Sequence, residues 1–124
     1  GFTVVDTENS FEALDYLDSA TPDLIILDIM MPGMNGIDLC RRIRSRPTTS
    51  ETPIIIFSAL GDEKTINSAL AAGADRYLHK LNLFGDLVST VESTLSRKAH
   101  RHAPSSETPQ LRVRRADAFN KPAV

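Results

Sequence analysis

Three side chains with complementary chemistry follow three short strand-like runs of this sequence. Asp28, Ser58 and Lys80 each stand at the end of such a run, in this order along the chain. A carboxylate can attack phosphorus and form an acyl phosphate. A hydroxyl and an ammonium group can neutralise the charge on the oxygens of the transferred phosphoryl group. Each residue alone is common at a strand end, but the three together indicate a site that accepts a phosphoryl group.

The segment after Asp28, IMMPGMNG, is built for a tight turn, because Gly33 and Gly36 lie within it. A divalent ion would be expected to bridge Asp28 and a phosphoryl group. Asp28 could share that ion with a backbone carbonyl just beyond it. The sequence therefore predicts a loop in which backbone and carboxylate oxygens face the same ligand.

Alternating strands and helices must position these side chains. Apolar runs predict strands at 2–5, 24–27, 54–57 and 76–79, and helical spacing predicts helices at about 9–20, 37–46, 62–72 and 87–98. Such an order requires a parallel sheet that helices cover on both faces. Ligands bind at the carboxyl ends of the strands of such sheets, so we expect Asp28, Ser58 and Lys80 to converge.

Composition and charge indicate the class of protein, its location and its division into domains. The chain has 124 residues, 41% hydrophobic, with a net charge of −2 and one cysteine, Cys40, which we expect to be buried. A single cysteine and the lack of a long apolar run predict a cytoplasmic protein without a membrane partner. Residues 1–98 are interpreted as one domain. Residues 99–124, which are rich in basic residues and proline, are interpreted as a flexible basic linker or tail, and we expect no nucleic-acid contact from the domain itself.

Three segments resemble the receiver domain of two-component response regulators. They are PDLIILDIMMPGMNGIDLCRRIR, TPIIIFSA and AAGADRYLHK. The resemblance covers residues 1 to about 98. It implies a flavodoxin-like, doubly wound α/β fold with strand order 2-1-3-4-5.

The resemblance also implies a role for individual residues. Asp28 matches the phosphoacceptor, Ser58 the switch hydroxyl, Tyr77 the switch aromatic residue and Lys80 the family's characteristic lysine. The carbonyl of Met30 matches the position that supplies a backbone ligand to Mg²⁺, so the implied metal ligands are Asp28 and Met30.

The sequence departs from the family at two places. Lys80 is followed by Leu81, where proline is usual. The chain also opens at what matches the family's second strand, so the first strand, its pair of acids and the first helix have no counterpart. We therefore expect an N-terminally truncated sheet of four strands and weak Mg²⁺ binding. The flanking strands 2–5 and 24–27 must pair directly, accept another segment, or drive self-association. Leu111–Arg114 is the internal candidate, but its alternating arginines suit an edge strand.

The implied function is phosphorelay signalling without enzymatic turnover. A histidine kinase or phosphotransfer protein would donate the phosphoryl group to Asp28, and a partner-binding surface would then switch. An output domain and self-association are the further interactions that this function suggests. The alternative is a receiver-like interaction module that is not phosphorylated, because the acidic metal-binding pair is missing.

Overall fold

A computed structural model describes the backbone of residues 2–80, 84–102 and 111–115. Strands and helices alternate along these residues, as the sequence predicts. The elements are β1 (Phe2–Thr7), α1 (Ser10–Ser19), β2 (Leu24–Leu27), α2 (Gly36–Ser45), β3 (Ile54–Ser58), α3 (Glu63–Ala71), β4 (Arg76–His79), α4 (Phe84–His102) and β5 (Leu111–Arg115).

All of these strands form one parallel sheet in the order β4-β3-β2-β1-β5. β1 pairs directly with β2, from Val4 opposite Leu24 to Thr7 opposite Leu27. Of the three outcomes expected for these strands, the structure shows direct pairing. The α/β doubly wound fold and its four predicted strands are confirmed.

The fifth strand, β5, goes beyond the four strands expected. It lies parallel to β1, on the edge of β1 that faces away from β2, and its register runs from Phe2 opposite Leu111 to Asp6 opposite Arg115. An open strand edge presents unpaired N–H and C=O groups, and this pairing satisfies those of β1. The segment assigned to a tail therefore includes the end of α4 and all of β5, and the division into a domain and a tail stays a prediction.

The two faces of the sheet are covered unequally. Helices α1, α2 and α3 pack on one face, where Tyr16, Leu39, Ile43 and Cys40 join the strand residues of a large buried cluster. Among the described residues, α4 is the helix that covers the other face. Its buried residues Leu87, Val91 and Leu95 pack on the strand residues Val4, Leu24, Ile26 and Ile55. Burial on both faces explains why β2 and β3 are apolar at almost every position.

Polar caps define where the helices begin and end. Asn9 caps α1 by accepting the Phe11 and Glu12 amides at 3.0 and 3.2 Å, which agrees with the helix start predicted at about residue 9. α3 ends at Ala71, and Gly73, just beyond the C-cap residue Ala72, has a φ of +113° that suits glycine. No helix in the described part of the chain combines the length and apolar character needed to cross a bilayer.

Candidate functional site

An ion pair joins the ends of two strands that are not neighbours in the sheet. Lys80 Nζ donates to Asp28 Oδ2 at 2.5 Å, although Asp28 follows β2 and Lys80 follows β4. The Lys80 backbone amide also donates to the Ser58 carbonyl at 2.8 Å, which fixes the end of β4 beside the end of β3. The convergence predicted for strand ends is thus present for this acid and this cation.

The second oxygen of Asp28 is held by the backbone. The Met30 amide donates to Asp28 Oδ1 at 3.1 Å. Gly36 packs against the backbone of Asp28. A Cβ at position 36 would lie only 2.2 Å from the Asp28 carbonyl oxygen. The glycine therefore lets the start of α2 approach the backbone of Asp28, as the loop sequence suggested.

A second set of contacts links Ser58 to Tyr77. Ser58 is fully buried, and its Oγ accepts the Leu60 amide at 3.2 Å. The Tyr77 hydroxyl donates to the Leu60 carbonyl, so both side chains hold the same backbone segment. Burial raises the pKa of Tyr77, and the nearby Asp62 and Asp28 charges add to this rise, while a hydrogen bond with Ser58 opposes it. Tyr77 is therefore a neutral donor at physiological pH.

Ser10 is a contact residue that the sequence analysis missed. It is fully buried at the first position of α1. Its Oγ donates to the Pro32 carbonyl at 3.1 Å and accepts the Met34 amide at 2.7 Å. A serine at a helix start normally indicates a cap, so its type gave no signal of a contact with a loop 22 residues away.

The Mg²⁺ ligands that the sequence predicts are the Asp28 carboxylate and the Met30 carbonyl. The described residues contain no group of three or more His, Cys, Asp or Glu side chains that could hold a metal. Asp28 contributes one carboxylate, and its oxygens accept the Lys80 ammonium and the Met30 amide. Mg²⁺ prefers six oxygen ligands in nearly ideal geometry. Magnesium binding by Asp28 and the Met30 carbonyl stays a prediction.

The structure thus places the predicted site residues in two contacts. One joins Asp28 to Lys80, and the other joins Ser58 to Tyr77 through Leu60. Met30 supplies its amide to Asp28, and its side chain is 57% exposed. Leu81, the residue that replaces the usual proline, lies outside the described residues.

Comparison with known proteins identifies the family. The model of the response regulator receiver domain matches residues 1–92. The chain is 43% identical over 97 residues to the phosphate regulon transcriptional regulatory protein PhoB of Rhizobium meliloti (strain 1021), a match that covers 78% of this chain and 43% of that protein. It is 36% identical over 106 residues to the transcriptional regulatory protein CseB of Streptomyces avermitilis, covering 86% of this chain and 44% of that protein.

A solved structure supports the same assignment. The putative response regulator from Chloroflexus aurantiacus J-10-fl superposes with a TM-score of 0.73 at 28% identity, covering 77% of this chain and 98% of that one. The chain spans less than half the length of the two curated relatives. From residue 1 to residue 92, the chain belongs to the response regulator receiver domain family.

Proposed function

We propose that Asp28 accepts a phosphoryl group from a phosphohistidine of a histidine kinase or phosphotransfer protein. A carboxylate oxygen of Asp28 would attack phosphorus, the P–N bond would break, and the departing imidazole nitrogen would take a proton. The Asp28–Lys80 contact of 2.5 Å carries this proposal, because it sets a nucleophile and a cation side by side at the carboxyl ends of the strands.

Lys80 and Ser58 would stabilise the transferred group. Phosphoryl transfer depends mostly on positioning and on neutralising charge spread over three oxygens. The Lys80 ammonium is already beside Asp28, and the Lys80 backbone amide binds the Ser58 carbonyl. The Lys80 ammonium and the Ser58 hydroxyl can both donate to phosphoryl oxygens. A phosphoryl group on Asp28 would therefore exchange the present lysine–carboxylate contact for a lysine–phosphoryl contact.

The Ser58–Leu60–Tyr77 contacts suggest how a partner would detect the reaction. Ser58 Oγ now accepts the Leu60 amide, and a phosphoryl oxygen on Asp28 would accept the Ser58 O–H. Rotation of the Ser58 side chain toward the phosphoryl group would draw Oγ away from the Leu60 amide. A shift of Leu60 would move the carbonyl that Tyr77 holds. We expect an output domain or a second copy of the chain to read this change at the surface around α3 and β4.

The test is chemical phosphorylation of the full chain with a small phosphodonor such as acetyl phosphate. Intact mass and peptide sequencing should locate one hydroxylamine-sensitive phosphate on Asp28, because an acyl phosphate reacts with that reagent. Asp28→Asn should abolish the phosphate, and Asp38→Asn, an exposed acid on α2, should not. The reaction is run with and without Mg²⁺.

Two results would contradict the proposal. One is a phosphate that persists on the Asp28→Asn chain. The other is a wild-type chain that takes no phosphate under either condition, a result that would leave the alternative of an interaction module that works without phosphorylation.

A further inference from the structure

A buried hydroxyl outside the predicted site holds the loop that carries the Asp28 contacts. We propose that Ser10 is a positioning residue for phosphoryl transfer, because it fixes residues 32–34 and thereby the Met30 amide that holds Asp28. This inference rests on the proposed role of Asp28, and its central measurement does not require phosphorylation.

Ser10 binds the loop with both its backbone and its side chain. Its backbone amide donates to the Pro32 carbonyl at 3.3 Å, and its Oγ donates to the same oxygen at 3.1 Å. The Oγ also accepts the Met34 amide at 2.7 Å. The hydroxyl therefore acts as donor and acceptor at once, with 0% of the residue exposed to water that could replace either bond.

Gly33 makes this contact sterically specific. Its φ of +92° lies in the left-handed region, and a Cβ there would fall 2.2 Å from Ser10 Oγ and 2.8 Å from the Phe11 ring. A residue with a side chain would thus be strained and would also push the Ser10 hydroxyl away. The loop fits against the start of α1 because both residues are small.

The same loop is closed at its base, next to Asp28. The Gly36 amide donates to the Ile29 carbonyl at 2.9 Å, so residues 29–36 form a closed loop. Met30 lies just inside this base and donates its amide to Asp28 Oδ1 at 3.1 Å. With Ser10 binding its far side, the loop is held at two places, and the direction of the Met30 amide is set between them.

Loss of the Ser10 hydroxyl should therefore increase the rotational freedom of the Asp28 carboxylate. Asp28 would keep Lys80 on Oδ2 but would rotate more freely once the Met30 amide moves. A nucleophile that rotates away from the line of attack reacts more slowly, while the donor still binds. The expected change is in the maximal rate of phosphorylation, not in the donor concentration that gives half of that rate.

The experiment uses the full chain labelled with ¹⁵N, as wild type, Ser10→Ala, Ser10→Cys and the control Ser50→Ala. Ser50 also donates its hydroxyl to a proline carbonyl, that of Pro47 at 3.4 Å, but at an exposed position. In both Ser10 variants we expect hydrogen exchange at the Met30 amide to accelerate at least tenfold. The maximal rate with acetyl phosphate should fall about tenfold. Ser50→Ala should match wild type in both measurements.

Other results decide against the proposal. One such result is a lower melting temperature in the Ser10 variants while hydrogen exchange at the Met30 amide and the maximal rate of phosphorylation match wild type. In that case Ser10 contributes to stability only and does not position Asp28. Ser10→Cys replaces the hydroxyl with a slightly larger thiol that is a weak donor and a weak acceptor. This variant tests the proposal if Ser10→Ala does not fold. A wild-type chain that takes no phosphate would refute the role of Asp28, and unchanged Met30 exchange in the variants would separately refute the role of Ser10.

Discussion

Arg44 and Asp75 form an ion pair that joins α2 to the segment before β4. The Arg44 guanidinium lies 2.9 Å from Asp75 Oδ2, and that oxygen also accepts the Ile54 amide at 2.7 Å. The guanidinium also donates to the carbonyls of Gly73 at 3.0 Å and Thr52 at 2.5 Å. One side chain thus holds the ends of α2 and α3 and the start of β3.

Arg44→Ala should lower the free energy of unfolding by about 1–3 kcal/mol, because it leaves part-buried carbonyls without their donor. Arg41→Ala is the matched control. Its ion pair with Asp38 has both side chains more than half exposed, and such pairs contribute at most about 1 kcal/mol. Urea unfolding of the two variants measures the difference, and equal losses would show that the Arg44 contacts contribute no more than a surface pair.

Lys80→Gln should slow phosphorylation of Asp28 by at least about tenfold, because the transferred oxygens lose the charge that neutralises them. Stability should change little, since the Lys80 side chain is 45% exposed. Lys64→Gln, at an exposed position of α3, provides the control. Initial rates of phosphorylation with acetyl phosphate test this prediction. Equal rates for Lys80→Gln and Lys64→Gln would show that Lys80 does not assist the transfer.

Met30→Asn should shorten the lifetime of the Asp28 phosphate by about tenfold, if one oriented water contributes roughly 1.4 kcal/mol. Met30 and Leu60 each follow a site residue by two positions, and neither apolar side chain can orient an attacking water. Leu70→Asn changes another exposed apolar side chain, on α3, and should leave the lifetime unchanged. Loss of phosphate is followed by mass; an unchanged or longer lifetime in Met30→Asn would contradict the prediction.

Tyr77→Phe should change how stability depends on alkaline pH. Burial raises the pKa of Tyr77 above its ordinary 10.0, so the folded chain holds this proton more tightly than the unfolded chain. The contribution is complete below pH 10.0 and declines as pH rises through the ordinary value toward the raised one. Urea unfolding at several pH values should show a smaller alkaline loss in Tyr77→Phe. If the free energy of unfolding of wild type and of Tyr77→Phe falls equally with alkaline pH, the prediction is wrong.

Removal of β5 should expose the edge of β1. A chain that ends at residue 110 should melt at a lower temperature and self-associate, because strand edges with unpaired backbone groups pair with other chains. A chain that ends at residue 115 keeps every residue paired with β1 and is the control. Light scattering over a concentration series tests this, and two monomeric chains with equal melting temperatures would show that β5 does not protect the edge.

The sequence was sufficient to predict β1 to β4, α1 to α4 and the approach of Asp28 to Lys80. Runs of apolar residues predicted β2 and β3, and the rule that strand ends converge brought Asp28 toward Lys80. The Ser10 contact could not be predicted, because it joins a helix start to a loop and has no periodic signal. The pairing of β5 with β1 could not be predicted either, because the open edge of β1 exists only once the sheet has formed.

In the part of the chain that the structure describes, α4 alone covers one face of the sheet, and this has a consequence for proteolysis. When α4 detaches, Val4, Leu24, Ile26 and Ile55 lose their helical cover together, whereas three helices share the opposite face. Local opening exposes protease cleavage sites in proportion to the population of the open form. The free energy of detaching α4 therefore sets how long the chain survives a protease, even when the remainder of the fold stays intact.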